Sequence, residues 1–129
     1  MKVVIADDSR VVVERLSDLL SDVPGVELVG QAGDAAGALS CIRQRHPDLV
    51  ILDLQMPGGN GLDILRAIRT ERPTLYVLIF TNYPYPQYKK ECLAAGANYF
   101  LDKSTEFEKI PAILGEVARN MAKPTPSTR

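Results

Sequence analysis

The chain has 129 residues, of which 46% are hydrophobic and 24% charged, and its net charge is −1. This length and composition are typical of one globular domain with a sizeable core. The balanced charge gives no reason to expect a basic surface for nucleic acid or an attachment to a membrane. The sequence shows no apolar run long enough to span a bilayer and no secretory leader, so we expect a cytoplasmic protein.

Apolar runs and amphipathic helical patterns alternate along the chain. The five predicted strands, β1 to β5, cover about 2–6, 26–32, 48–53, 75–80 and 98–102. The five predicted helices, α1 to α5, cover about 9–23, 34–45, 61–71, 86–95 and 110–121, with a loop at 56–61. This alternation predicts a doubly wound α/β fold. β1 and β3 are apolar along their length, as expected for strands covered on both faces.

One domain is predicted, at residues 1–122. The remaining segment, 123–129, is short, polar and rich in proline, so we expect a disordered tail or the start of a linker.

Polar side chains follow the predicted strands at their carboxyl ends. Asp7 and Asp8 follow β1, Asp53 ends β3 after the run at 48–52, Thr81 follows β4 and Lys103 follows β5. Ligands of open parallel sheets bind outside the carboxyl ends of the strands, so we expect these side chains to converge. Three carboxylates in one place repel one another unless a cation is present.

The residue types favour Mg²⁺ as that cation, because it prefers oxygen ligands. Zinc would require cysteine or histidine ligands, and calcium loops take their oxygens from one contiguous segment. Mg²⁺ and Lys103 together would balance the charge of the three aspartates. A phosphoryl group on the nucleophilic carboxylate of Asp53 would then meet a metal, an ammonium and a hydroxyl, which is the arrangement that phosphoryl transfer requires.

Each of these residues also has a plainer explanation when it is taken alone. Adjacent acids at a strand end commonly cap a helix, a lone lysine is commonly a solvated charge, and a threonine there is commonly a turn residue. Phe100 is explained by core packing alone. Tyr83, Tyr85 and Tyr88 are either a docking surface or packed loop aromatics.

Taken together and in order, the residues resemble the receiver domain of two-component response regulators, the CheY-like family, over about residues 2–121. The matching segments are Asp7-Asp8, Asp53-Leu54-Gln55-Met56-Pro57 followed by Gly61, Thr81, and Lys103. The resemblance implies a flavodoxin-like (βα)5 fold whose five-stranded parallel sheet has the order 2-1-3-4-5.

The resemblance also implies the roles of the acidic residues. Asp53 would be the phosphoacceptor. Mg²⁺ would be bound by Asp8 directly and by Asp7 through water, with Asp53 and the backbone carbonyl of Gln55 completing the protein ligands.

The remaining roles concern the response to phosphorylation. By the same resemblance, Lys103 and Thr81 would contact the phosphoryl oxygens. Thr81 and Phe100 would form a switch in which the threonine moves toward the phosphate and the aromatic ring rotates inward. The α4-β5-α5 face would then change its partners.

The expected function is a signalling switch that takes its phosphoryl group from a sensor histidine kinase or a histidine phosphotransfer protein. Such a chain catalyses only its own phosphorylation and dephosphorylation. A downstream protein would bind the α4-β5-α5 face without direct contact to nucleic acid or membrane, and a phosphorylation-dependent dimer is left open. A stand-alone regulator is favoured, with the receiver half of a longer, for example DNA-binding, regulator as the alternative.

Two functions of other classes compete with this one. The first is a receiver-like binding module that takes no phosphate, although every required residue is present. The second is a phosphatase of the haloacid dehalogenase type, which is disfavoured because Gln55 stands where that family has a second acid.

The sequence departs from the common receiver pattern around the site. Ser104 stands where proline usually follows the lysine, which disfavours a cis peptide. Asn82 is larger than the usual residue, and Phe100 lacks the hydroxyl of the commoner tyrosine. Gln55 and Tyr83 flank the path of the attacking water in the family, and our hypothesis is that Tyr83 slows hydrolysis of the acyl phosphate.

Overall fold

The computed structural model describes residues 1–122, and the predicted tail at 123–129 lies outside the described residues. The strands are β1 Lys2–Ala6, β2 Glu27–Ala32, β3 Leu49–Leu52, β4 Tyr76–Thr81 and β5 Tyr99–Asp102. The helices are α1 Arg10–Ser21, α2 Ala35–Arg45, α3 Gly61–Glu71, α4 Pro86–Ala94 and α5 Ile110–Ala122. The helices of this described part are too short or too polar to cross a membrane.

The five strands form one parallel sheet in the order β2-β1-β3-β4-β5. The predicted fold class and strand order are therefore confirmed. Helices α1 and α5 pack on one face of the sheet, and α2, α3 and α4 pack on the other.

Strand residues alternate between the two faces, as the pleat requires. In β1, Val3 and Ile5 point to the α1–α5 side, whereas Val4 and Ala6 point to the α2–α4 side. All four side chains are fully buried. Coverage on both faces explains why this strand is a continuous apolar run in the sequence.

The segment after Asp53 corrects the sequence prediction, which had a loop at 56–61. Gln55–Met56 and Gly59–Asn60 form a short antiparallel hairpin. The turn depends on Gly58, which has a φ of 84°, an angle that residues other than glycine rarely adopt. The carbonyl of Pro57 accepts a hydrogen bond from the N–H of Ala35 at 3.0 Å, so the hairpin is tied to the start of α2.

Arg69 ties together the opposite end of the sheet. Its guanidinium donates hydrogen bonds to the backbone carbonyls of Leu75, at 2.7 Å, and Gly96, also at 2.7 Å. It also reaches the carbonyls of Arg72 and Pro73 at 2.9 and 3.0 Å. One side chain on α3 therefore fixes the approach to β4 and the loop between α4 and β5.

Gly61 allows the closest backbone approach near Asp53. Its N–H donates to the carbonyl of Leu54 at 2.9 Å. A Cβ at this position would overlap the carbonyl oxygen of Asp53 and lie 3.0 Å from the Cα of Leu54. The first residue of α3 therefore has no room for a side chain.

We predict that Gly61→Ala lowers the free energy of unfolding by about 1–3 kcal/mol, because the backbone around Asp53 must shift. Gly33→Ala is the control, since a Cβ there would meet nothing closer than 3.8 Å. Denaturant unfolding of the three proteins measures the effect, and an equal midpoint for the parent and Gly61→Ala would contradict it.

Candidate functional site

The candidate site lies at the carboxyl edge of the sheet, where the parallel pairing continues past the ends of the strands. The residues that follow β1, β3 and β5 each donate a backbone N–H to a carbonyl of the neighbouring strand. The three bonds, each 2.9 Å long, join Asp7 to Ala32, Asp53 to Ala6 and Lys103 to Thr81. The backbone at these positions is thus fixed by the sheet itself.

Three carboxylates meet at this edge. One oxygen each of Asp7, Asp8 and Asp53 lies within 4.8 Å of the others. Asp7 and Asp53 are buried, with exposures of 4% and 5%, whereas Asp8 is exposed. Backbone N–H groups of Ser9 and Gln55 donate to Asp7 and Asp53 at 2.9 and 3.3 Å. The pocket therefore opens to solvent on the side of Asp8.

Lys103 places its ammonium between the two buried carboxylates. Its Nζ lies 2.6 Å from Oδ2 of Asp7 and 3.2 Å from Oδ2 of Asp53. The side chain is buried, which excludes the plainer explanation of a solvated charge. Three carboxylates and one ammonium leave two negative charges, which one divalent cation would balance.

The pKa of the Asp53 carboxyl is raised above its ordinary value, chiefly because burial disfavours the charged form. The ammonium of Lys103 opposes this shift, and the negative charge of Asp7 adds to it. A carboxylate that is poorly solvated in this way is a better nucleophile than an exposed one.

The donor set fits Mg²⁺ in chemistry and in spacing. Oxygens about 2.1 Å from Mg²⁺ in octahedral geometry lie roughly 3–4 Å apart, so the observed cluster needs only a small closure. The exposed position of Asp8 leaves room for the water ligands that Mg²⁺ retains.

Thr81 is fully buried at the end of β4, next to this pocket along the sheet edge. Its Oγ1 accepts a hydrogen bond from the N–H of Tyr83 at 2.9 Å. Asn82 and Tyr83 are exposed. The ring of Tyr85 lies 6.4 Å from that of Tyr83 and 5.7 Å from that of Tyr88, so the three rings form one cluster on the surface rather than in the core.

Phe100 lies on the α2–α4 side of the sheet and is only 9% exposed. Its ring is therefore already packed inward in this structure. This position agrees with the plainer interpretation of Phe100 as a residue of the hydrophobic core.

The segment after Lys103 contains hydrogen bonds that sequence reasoning missed. The Lys103–Ser104 peptide is trans, in agreement with the expectation for serine. Glu106 accepts a hydrogen bond from the N–H of Asp102 at 3.0 Å, and the side chain of Asp102 accepts one from the N–H of Ser104 at 2.8 Å. An aspartate two residues before serine could have predicted the second bond, but no sequence signal predicts the first.

Comparison with known proteins matches this chain to one protein family. The family model for the response regulator receiver domain matches residues 3–115. The DNA-binding transcriptional activator DevR/DosR of Mycobacterium tuberculosis is 35% identical over 80% of this chain and 48% of its own length. A protein-glutamate methylesterase/protein-glutamine glutaminase of Chromobacterium violaceum is 36% identical over 95% of this chain and 34% of its own.

Among solved structures, the response regulator domain of Thermotoga maritima CheB superposes with a TM-score of 0.81 at 27% identity. The match covers 96% of this chain and 98% of that domain. The chain spans less than half the length of the two curated relatives named above. The similarity to those relatives therefore extends over one part of each of them.

We predict that Asp53→Asn stabilises the metal-free protein at neutral pH, because it removes a poorly solvated charge while Asp7 still pairs with Lys103. Since the raised pKa means that the folded state holds the proton more tightly than the unfolded state, stability should fall as pH rises through this pKa. The stability of Asp53→Asn should not show this fall with rising pH. At acidic pH the variant and the parent should be about equally stable.

Denaturant unfolding in EDTA at several pH values measures this difference. Asp63→Asn is the control, because Asp63 is exposed on α3 and should show the pH dependence of the parent. A variant less stable than the parent at neutral pH would contradict the assignment of Asp53 as a destabilised charge.

Proposed function

The chain belongs to the response regulator receiver domain family of two-component systems, and on that basis we propose that Asp53 accepts a phosphoryl group. The observation that carries the proposal is the position of this buried carboxylate within 4.8 Å of two others and 3.2 Å from the ammonium of Lys103. The donor would be the phosphohistidine of a sensor histidine kinase or of a histidine phosphotransfer protein.

The transfer is a displacement at phosphorus. A carboxylate oxygen of Asp53 forms the new P–O bond while the P–N bond to the donor imidazole breaks and its electron pair stays on nitrogen. In this proposal Lys103 pairs with a phosphoryl oxygen, and the hydroxyl of Thr81 donates to another after it has turned toward the group. The ammonium of Lys103 is already held beside Asp53 before the reaction, which is the form of catalysis that phosphoryl transfer needs.

Asp7, Asp8, Asp53 and the backbone carbonyl of Gln55 would hold Mg²⁺ in this proposal. When bound, the ion supplies positive charge to the phosphoryl oxygens and to the carboxylates. Asp7 and Asp53 are already paired with Lys103, so the ammonium and the ion would have to share these two carboxylates.

The switch would begin at Thr81. If the Thr81 side chain rotates so that its oxygen moves toward the phosphoryl group, the hydrogen bond from the N–H of Tyr83 is lost. Every residue from Asn82 to Lys90 is exposed, so the segment that leads into α4 has little packing to resist a movement. Phe100 is already buried, so its part in the switch would be a repacking against this segment.

The output surface would include the tyrosine cluster of Tyr83, Tyr85 and Tyr88, which adjoins the α4-β5-α5 face. Exposed aromatic side chains of this kind are common in protein interfaces. We propose that a downstream protein binds here in a phosphorylation-dependent way. The alternative of a longer regulator is supported by DevR/DosR, a DNA-binding activator of which this chain matches 48%.

We predict that Asp53→Asn abolishes phosphorylation by a small acyl-phosphate donor in the presence of Mg²⁺, because the amide is not a nucleophile. Phosphate-affinity electrophoresis and intact mass measure the label. Asp63→Asn, which keeps all site residues, should be labelled like the parent, and EDTA should abolish its labelling. Full labelling of Asp53→Asn would refute the proposal.

We further predict that Tyr83→Ala loses its phosphoryl group roughly 3- to 10-fold faster than the parent, because a bulky ring no longer limits access of water. Tyr83→Phe is the matched control and should behave like the parent if bulk rather than the hydroxyl is responsible. The decay of the labelled proteins after removal of the donor measures the rates. Equal or slower decay in Tyr83→Ala would reject the hypothesis.

A further inference from the structure

The reach of the Lys103 side chain is determined by the backbone turn that follows β5. The carbonyl of Asp102 accepts hydrogen bonds from the N–H groups of Thr105, at 3.3 Å, and Glu106, at 2.8 Å. The side chain of Asp102 accepts a third from the N–H of Ser104 at 2.8 Å. Residues 102–106 therefore form a hydrogen-bonded turn, and Lys103 is its second residue.

The remaining polar group of Asp102 is its N–H, which points to the open edge of the sheet. In a parallel sheet, successive residues direct their backbone groups to opposite sides. The N–H of Lys103 points to Thr81 on β4, so that of Asp102 points away from β4, toward the side where no strand of residues 1–122 pairs with β5. Glu106 fills this position, since its Oε1 accepts the bond at 3.0 Å.

Glu106 also connects the turn to the start of α5. Its Oε2 accepts a hydrogen bond from Nζ of Lys109 at 2.6 Å, and its carbonyl accepts one from the N–H of the same residue at 3.0 Å. The hydrogen bond from the Lys109 side chain, and after it the one from the N–H of Asp102, lower the pKa of the Glu106 carboxyl. One carboxylate thus joins the last residue of β5 to the 3₁₀ turn at Phe107–Lys109.

We infer that Glu106, acting with Asp102, is a positioning residue that holds Lys103 at the distance required for phosphoryl transfer to Asp53. The inference rests on the proposed function of Asp53 and goes beyond it, because Glu106 is not among the residues proposed to hold the metal or the phosphoryl group. Its effect passes through the backbone of Lys103, whose ammonium must reach two carboxylates at once. A displacement of about 1 Å at such a group is enough to slow a reaction strongly.

The test compares three variants in phosphorylation by a small acyl-phosphate donor with Mg²⁺. Glu106→Ala removes both bonds of the side chain and should slow labelling roughly 3- to 10-fold. Glu106→Gln keeps an oxygen for the N–H of Asp102 and should recover most of the rate. Glu108→Ala is the matched control, because Glu108 is exposed in the same 3₁₀ turn, and should label like the parent.

A double-mutant comparison separates positioning from a general loss of structure. If Glu106 acts through Lys103, Glu106→Ala should have no further effect on the labelling rate of Lys103→Ala. A full additional loss in that background would overturn the inference. Equal labelling rates of Glu106→Ala and Glu108→Ala would also overturn it.

A second measurement reports the position of Lys103 without phosphorylation. In acetylation by an N-hydroxysuccinimide ester mapped by mass spectrometry, Lys103 should react roughly 3-fold or more faster in Glu106→Ala than in the parent, with exposed lysines as internal standards. Glu108→Ala should match the parent. If the parent takes no phosphate, the proposed function fails and this comparison alone decides whether Glu106 positions Lys103; an unchanged Lys103 rate would reject it.

Discussion

The ammonium of Lys103 between the carboxylates of Asp7 and Asp53 is the interaction on which the architecture of this edge depends. Three strands supply these charges, and all three side chains are buried. Buried charges are costly unless they are paired, and a buried pair is strongly destabilised when one partner is lost. The ends of β1, β3 and β5 must therefore stay in register. The charge that remains after pairing is what makes the site a candidate for a divalent cation.

The buried charges of this cluster are held in position by rigid surroundings. The sheet pairing extends through the backbone of Asp7, Asp53 and Lys103, so these residues are held by the same bonds as the core strands. Gly61 lets α3 begin directly against the backbone of Asp53. By contrast, the segment after Thr81 is exposed, and only Cys92 of α4 is fully buried in the core. A rigidly held group of carboxylates thus lies beside a weakly packed helix.

Most of the fold could be predicted from the sequence, because strands covered on both faces are apolar throughout and parallel strands place their carboxyl ends together. That argument was enough to bring Asp7, Asp53 and Lys103 to one edge. The hairpin after Asp53 could not be predicted, because it depends on the backbone angles of Gly58 and on a contact with α2. The contact of Glu106 with β5 also escaped prediction, since it depends on the direction in which the chain turns toward α5.

Arg69 anchors one end of the weakly packed helix α4. Its guanidinium holds the carbonyl of Gly96, directly after the end of α4, while the other end of the helix follows the exposed segment at 82–85. A nine-residue helix is about 13 Å long, so a rotation about its anchored end would be amplified along that length. The largest displacement would occur at the tyrosines and the smallest at Gly96. The helix is thus anchored at the end that lies far from the carboxylates.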